Sequence, residues 1–358
     1  MTAPTADLHA LGQSLWLDNI TRKMLDDGVI QRYIDEYSVT GLTSNPSIFD
    51  KAVSGGFYDD AIREKSAAGL SGEDLFFELA IEDLRRAADA FRPVHDATGG
   101  VDGFVSLEVS PELAYDTEST VHAASDLHAR ADRPNLFIKI PGTSEGLPAI
   151  TATIASGVPV NVTLLFDAAQ YKAAAEAYMA GIEKRIEAGQ SPVVESVASV
   201  FMSRWDKAVA DKVPDELKDR LALAVGGLTY RTYREVLASD RWQRLASEGA
   251  RPQRLLWAST STKDPDASDT LYVTGLAAPN TVNTMPDGTL EAFHDHGTLD
   301  GPMDPDGGNC EAELAAFEDA GVDVKALAAQ LQSDGASAFV DSWKDLMDRV
   351  KAQAGAVA

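Results

Sequence analysis

The chain is short of cysteine, of basic residues and of long apolar runs, and each shortage removes a class of function. Cys310 is the one cysteine among 358 residues, which rules out an intramolecular disulfide and fits a reducing, cytoplasmic setting. Its neighbours Asn309 and Glu311 supply no activating base, so we read it as an idle thiol. No apolar run reaches the roughly 18 residues that a membrane-spanning helix needs. The opening residues have neither a basic n-region nor an apolar h-region, so no secretory signal is expected. Lys and Arg total 31 against 56 Asp and Glu, a formal net charge of −25. Such a surface repels nucleic acid and anionic membranes, and neither is an expected partner. Histidines number 6. His294 and His296 flank Asp295 in an acidic stretch without a third histidine nearby, so no metal is expected there. Gly226-Gly227 reads as a turn, without the strand-to-helix context of a phosphate loop.

What is present is the material of a large core. Apolar residues make up 44% of the chain and charged residues 24%, both ordinary for a globular α/β protein. Short apolar runs recur at 14–19, 41–45, 103–109, 136–141, 159–166, 195–201, 254–260 and 281–286. Between them lie segments with apolar residues at three- and four-residue spacing, such as 168–186 and 230–246. Eight strand candidates, nearly all followed by a helix candidate, predict a closed (β/α)8 barrel. The competing open, doubly wound sheet predicts a glycine fingerprint after the first strand. Leu17-Asp18-Asn19-Ile20-Thr21 has no glycine. Residues 47–92 hold more than one helical segment between the second and third strands, including 74–91. Residues 311–353 read as two further helices after the last strand, and a C-terminal helix of this kind packs across a barrel and lids its mouth. The polar stretch 285–309 reads as a loop. Trp205, Trp242 and Trp343 fall in helical contexts and read as core. We therefore expect a single domain over 1–358 with 311–358 as a helical extension, monomeric or homodimeric.

In a parallel barrel, chemistry is placed at the C-terminal ends of the strands. Those ends carry Asp18, Asn45, Glu108, Lys139, Asn161 with Thr163, Ser199 followed by Arg204, Ser259 followed by Lys263, and Asn283 with Thr284. Lys139 stands out, inside the apolar strand Phe137-Ile138-Lys139-Ile140-Pro141. A strand covered on both sides encloses the lysine. An enclosed ammonium is costly, which populates the neutral amine. A neutral amine attacks a carbonyl and forms an imine, and the protonated imine then draws electrons from the neighbouring carbon without any cofactor. Asp18 and Glu108 are the two strand-end carboxylates for proton transfer. Asp18 has the alternative of capping the next helix, and Glu108 of pairing with Lys139. Thr163 is placed to hold a water, and Asn45 and Ser199 to hold substrate hydroxyls, though all three also suit backbone capping. Arg204 and Lys263, beside Ser259, offer a phosphate seat. Their alternatives are surface pairs with Asp206 and with Asp264 or Asp266.

These segments resemble the transaldolase family. Thr43-Ser44-Asn45-Pro46-Ser47-Ile48-Phe49 resembles its first signature, and Phe137-Ile138-Lys139-Ile140-Pro141-Gly142-Thr143-Ser144-Glu145-Gly146 its second, which contains the Schiff-base lysine. Asn161-Val162-Thr163-Leu164-Leu165-Phe166 is similar to the family's fifth strand, and the likeness runs in order from about Leu15 to Pro286. The resemblance implies transfer of a dihydroxyacetone unit between sugar phosphates in the non-oxidative pentose phosphate pathway. The donors are fructose 6-phosphate or sedoheptulose 7-phosphate, and the acceptors erythrose 4-phosphate or glyceraldehyde 3-phosphate. It further implies Lys139 as nucleophile, Asp18 as acid–base for bond cleavage, and Glu108 and Thr163 as handlers of the catalytic water. Asn45 and Ser199 would bind the dihydroxyacetone hydroxyls, and Arg204 and Ser259 the phosphate. One position departs from the pattern. Many members carry an arginine two residues after the serine matching Ser259, where this chain has Ser261, and Lys263 is the nearest replacement charge. A second departure is Ala198-Ser199-Val200-Phe201, which differs from the commoner Ser-Pro-Phe wording while the serine and the later arginine keep their spacing. Three rivals remain: a fructose 6-phosphate aldolase that releases free dihydroxyacetone, another imine-forming barrel aldolase or dehydratase, and a non-catalytic barrel that only binds a sugar phosphate.

Overall fold

The computed structural model describes residues 3–357, so the first two residues of the N-terminal segment and Ala358 lie outside it. Eight parallel strands close a barrel in chain order: β1 (Gln13–Leu17), β2 (Val39–Leu42), β3 (Val105–Glu108), β4 (Leu136–Pro141), β5 (Val160–Leu165), β6 (Ser196–Phe201), β7 (Arg254–Ala258) and β8 (Thr281–Met285). Each of the eight apolar runs contains or overlaps one of them. The strands are buried on both faces because helices cover the outside and side chains fill the inside, which is why they read as nearly continuous apolar runs. β8 returns to β1, with Leu15 paired to Asn283 and Leu17 to Met285. The N-terminal mouth is closed by Trp16, whose indole donates to Asp102 at 2.9 Å, and by Arg254, which donates to Ser14 at 2.8 Å. That leaves the C-terminal mouth for function.

Three helices fill the connection between β2 and β3: Pro46–Val53, Asp59–Ala67 and Gly72–Ala97. Two more follow β8 and the helix Asp287–His296, at Cys310–Asp319 and Val324–Val357. The last, 34 residues long, lies across the barrel mouth. Trp343 packs its ring on Phe76 and Phe77 at 5.1 and 5.6 Å between ring centres, and Ser47 donates to Ser342 at 2.9 Å. Trp205, Trp242 and Trp343 are all buried. Among the described residues, no helix is long and apolar enough to cross a membrane.

Three local expectations are corrected. The segment 230–246 is two helices, because Ser239 turns extended (ψ 146°) and its hydroxyl caps the second by accepting from the Trp242 amide at 3.2 Å. Gly226-Gly227 is not a turn but lies inside the helix Leu221–Ala238. A Cβ on Gly226 would sit 2.5 Å from Leu276 Cδ2, and one on Gly227 2.8 Å from the Gly307 carbonyl oxygen. The glycines thus serve close packing rather than chain reversal. The stretch 285–309 is not all loop: Asp287–His296 is helical, with Leu290 and Phe293 buried on its inner face.

Candidate active site

β3 and β4 run in register with Glu108 opposite Lys139. Both residues are 5% exposed, so neither ion is screened by solvent and each needs a partner. The Lys139 ammonium donates to Glu108 Oε2 at 3.0 Å and to the Ser44 carbonyl oxygen at 3.0 Å. The salt-bridge alternative for Glu108 is therefore present in the structure, and it does not exclude proton transfer along the same contact. Burial pushes the Glu108 carboxyl above its ordinary value, against the pull of Lys139. Its second oxygen, Oε1, is buried without a partner among the described residues.

Asp18 follows β1 and does not cap a helix: Thr21 caps the next one, accepting from the Met24 amide. Its carboxylate accepts instead from the Thr43 hydroxyl at 2.7 Å, and Thr43 shares a 2.7 Å contact with Thr284. Enclosure raises the Asp18 carboxyl above its ordinary value, and Lys139 and the Thr43 hydroxyl oppose the rise. An acid held this way is poised to take and return a proton.

On β5, Asn161 pairs across to Lys139 and Thr163 to Pro141. Asn161 accepts from the Ser199 hydroxyl at 2.7 Å and donates to Ser106 at 3.1 Å, so it orients both. Thr163 Oγ1 is buried without a partner among the described residues. The chain then turns through Leu164 at φ 58°, a left-handed conformation that strains a bulky residue, and the β5–β6 register shifts there. Asn45 does cap the helix Pro46–Val53, accepting from the Ile48 amide at 3.1 Å, and it also faces the cavity.

All of this opens into one cavity of about 310 Å³ at the C-terminal mouth. Asp18, Asn45, Lys139, Thr163, Ser199, Arg204, Ser259 and Lys263 line it. Glu108 does not; it reaches the cavity only through Lys139. Arg204 makes no pair with Asp206, whose carboxylate accepts from Tyr272 and from the Ala222 amide. Burial alone lowers Arg204 from its ordinary value, with no anion opposing it. Lys263 is lowered by burial and then by repulsion from Lys207 and Arg204, and its ammonium donates to Ser261. Ser259 has φ 55° and shares a 2.9 Å contact with Ser203. The cavity therefore has a cationic end, opposite in sign to the rest of the molecule, in which Asp18 attracts Lys263 while no carboxylate among the described residues opposes Arg204.

Thr43, Thr284, Ser47, Lys51, Phe201 and Phe339 also line the cavity and were not singled out as site residues. Thr43 and Thr284 were legible as strand ends. Phe339 was not, since it enters from the C-terminal helix, well beyond the last strand end at Thr284, and reads as one more apolar helix position. His294 stacks on Tyr37 at 3.9 Å, and His296 pairs with Asp269 and Asp295. Cys310 is buried away from the cavity.

Comparison with known proteins shows the family. Residues 15–350 match the family described as Transaldolase/Fructose-6-phosphate aldolase. The transaldolase of Parafrankia sp. (strain EAN1pec) is 45% identical over 368 aligned residues, covering 100% of both chains. That of Thermobifida fusca (strain YX) is 47% identical, covering 99% of this chain and 100% of its own. That of Acidothermus cellulolyticus is 47% identical over 97% of this chain and 95% of its own.

Proposed function

The chain belongs to the transaldolase/fructose-6-phosphate aldolase family, and from that premise we propose a role for each side chain of the cavity. The activity is that of a transaldolase, moving a dihydroxyacetone unit from a ketose phosphate to an aldose phosphate through a lysine Schiff base. Lys139 adds its amine to the ketose carbonyl, and the proton it sheds has a short path to Glu108 at 3.0 Å. The carbinolamine then loses water to form the imine. Glu108 Oε1 and Thr163 Oγ1, both buried and unpartnered, are the polar atoms available to hold that water. Asp18 takes the proton of the hydroxyl on the carbon that will leave. The carbon–carbon bond breaks, its electron pair passes into the protonated imine, and the aldose phosphate departs. An acceptor aldose enters, the same steps run in reverse, and water releases the new ketose.

Asn45 and Ser199 bind the hydroxyls of the retained fragment, supported by their place on the cavity wall beside Lys139. Arg204, Ser259 and Lys263 seat the phosphate. The departure at Ser261 supports a role for Lys263, whose ammonium reaches back to that serine and stands near Arg204. We also read the chain as one domain over 1–358, with 311–358 as its extension, working in the cytoplasm as a monomer or homodimer without cofactor or metal.

The observation that carries the assignment is Lys139, enclosed at 5% exposure in a cavity that also holds an unpaired guanidinium. Borohydride reduction in the presence of fructose 6-phosphate is expected to leave a covalent adduct on Lys139, absent from Lys139→Ala, which should have no measurable turnover. Adding erythrose 4-phosphate separates transfer from aldol release. Product that forms only with the acceptor present identifies transfer, and free dihydroxyacetone formed without it identifies the aldolase.

A further inference from the structure

An arginine enclosed in a protein ordinarily finds a carboxylate, and this chain has 56 acidic residues. Arg204 has neither an ion pair nor a hydrogen bond among the described residues. Its position is held by two rings and a gap. The guanidinium carbon lies 5.1 Å from the centre of the Phe201 ring at the end of β6 and 5.9 Å from that of Phe339 on the helix Val324–Val357. One turn earlier on the same helix stands Gly335. A Cβ built there would meet Arg204 Nη1 at 2.9 Å and Leu164 Cδ2 at 3.1 Å. Gly335 has no positive φ, so the backbone itself does not require glycine. Alanine at this point would favour the helix.

Aromatic walls attract a guanidinium without cancelling its charge, whereas a carboxylate would neutralise it. The missing side chain at Gly335 leaves the width that the guanidinium occupies. We propose that Gly335 and Phe339 form a specificity-determining slot that positions Arg204, still un-neutralised, for the phosphate of the sugar substrates. The inference rests on the reading of Arg204 as a phosphate ligand. Within it, the C-terminal helix is part of substrate selection and not only a cover.

The test compares kcat/KM for erythrose 4-phosphate with that for D-erythrose, using saturating fructose 6-phosphate as donor. Under these conditions the acceptor's kcat/KM reports only the second half-reaction. In Gly335→Ala the arginine's flexible end is the atom that must give way. The variant should therefore fold as well as the parent, with an equal or higher melting temperature. Its kcat/KM for erythrose 4-phosphate should fall about tenfold through KM, while that for D-erythrose stays at the parent value. Phe339→Leu should shift the ratio of the two acceptors in the same direction. An unchanged ratio in Gly335→Ala, or an equal loss for both acceptors, overturns the slot. Arg204→Ala separates the two layers of the argument. If the preference for the phosphorylated acceptor survives in Arg204→Ala, the phosphate reading of Arg204 fails. If it collapses there but not in Gly335→Ala, only the slot fails.

Discussion

In the proposed mechanism, Glu108 and Lys139 must meet two demands that pull in opposite directions. The ammonium needs a compensating charge to stay in a dry strand, and the amine must give up its proton to attack a carbonyl. A carboxyl raised by burial and 3.0 Å away suits both, since it pairs with the ammonium and stands within reach of its proton. Glu108→Gln keeps the shape and removes the proton acceptor. Its kcat should fall by about a hundredfold to ten-thousandfold, with the rate of borohydride trapping falling in step. An unaltered trapping rate would place the proton transfer elsewhere. Thr163 offers the complementary experiment. Its buried hydroxyl has no partner among the described residues, so Thr163→Val sacrifices no hydrogen bond seen there and should leave the melting temperature equal or higher. Turnover should nevertheless drop tenfold or more if the hydroxyl holds the water of imine formation. Falling stability with unchanged turnover would make Thr163 a structural residue.

Among the elements, the helix Val324–Val357 does the most to complete the site. Gln332 donates from Nε2 to the Leu164 carbonyl at 2.9 Å and to the Gly142 carbonyl at 3.1 Å. These two carbonyls lie just beyond Lys139 on β4 and Thr163 on β5, and Leu164 is the strained residue at φ 58°. One side-chain amide thus clamps two strand ends of the cavity, and three residues later Gly335 faces Arg204. Gln332→Met, similar in length but without donors, should cost about 1–3 kcal/mol in urea unfolding, because two carbonyls lose their partner. With the strand ends loosened, kcat should fall severalfold while KM for the ketose holds. A loss of stability with kcat unchanged would limit the clamp to the fold.

For the molecule as a whole, charge sets the conditions under which the site works. At −25 net, an anionic substrate approaches against the overall field, and the cationic cluster of Arg204, Lys207 and Lys263 reverses it locally. Asp206, between Trp205 and Lys207, anchors this region to the helix Leu221–Ala238 and to Tyr272. Burial raises its carboxyl from 3.8 to about 6. The folded chain therefore holds this proton over a range in which the unfolded chain has already lost it. Stability is lost as pH climbs from 3.8 to about 6, by roughly 3 kcal/mol for a shift of this size. Asp206→Asn removes the ionisation. Melting temperatures measured from pH 4 to 7 should decline more steeply in the parent than in the variant across that window, and parallel curves would refute the assignment.

Much of the frame was legible without coordinates. Eight apolar runs mark the strands because a parallel strand covered on both sides must be apolar along its length, and that pattern is local. Strand-end groups such as Asp18, Asn45, Lys139 and Thr163 were legible for a related reason, since barrel topology sends every strand end to one face. Features that depend on what packs against them were not. Gly226-Gly227 has the local look of a turn, yet it is helical because Leu276 and Gly307 approach too closely for a side chain. Ser239 divides what periodicity joins. The amino-acid order by itself determined the barrel, the enclosed lysine and the acidic surface, because each follows from residue type and spacing. Only the tertiary structure decided that Glu108 reaches the cavity through Lys139, that Asp18 is held by Thr43, and that Phe339 and Gly335 flank Arg204. Those contacts join segments far apart in the chain, and no local periodicity encodes which of them meet.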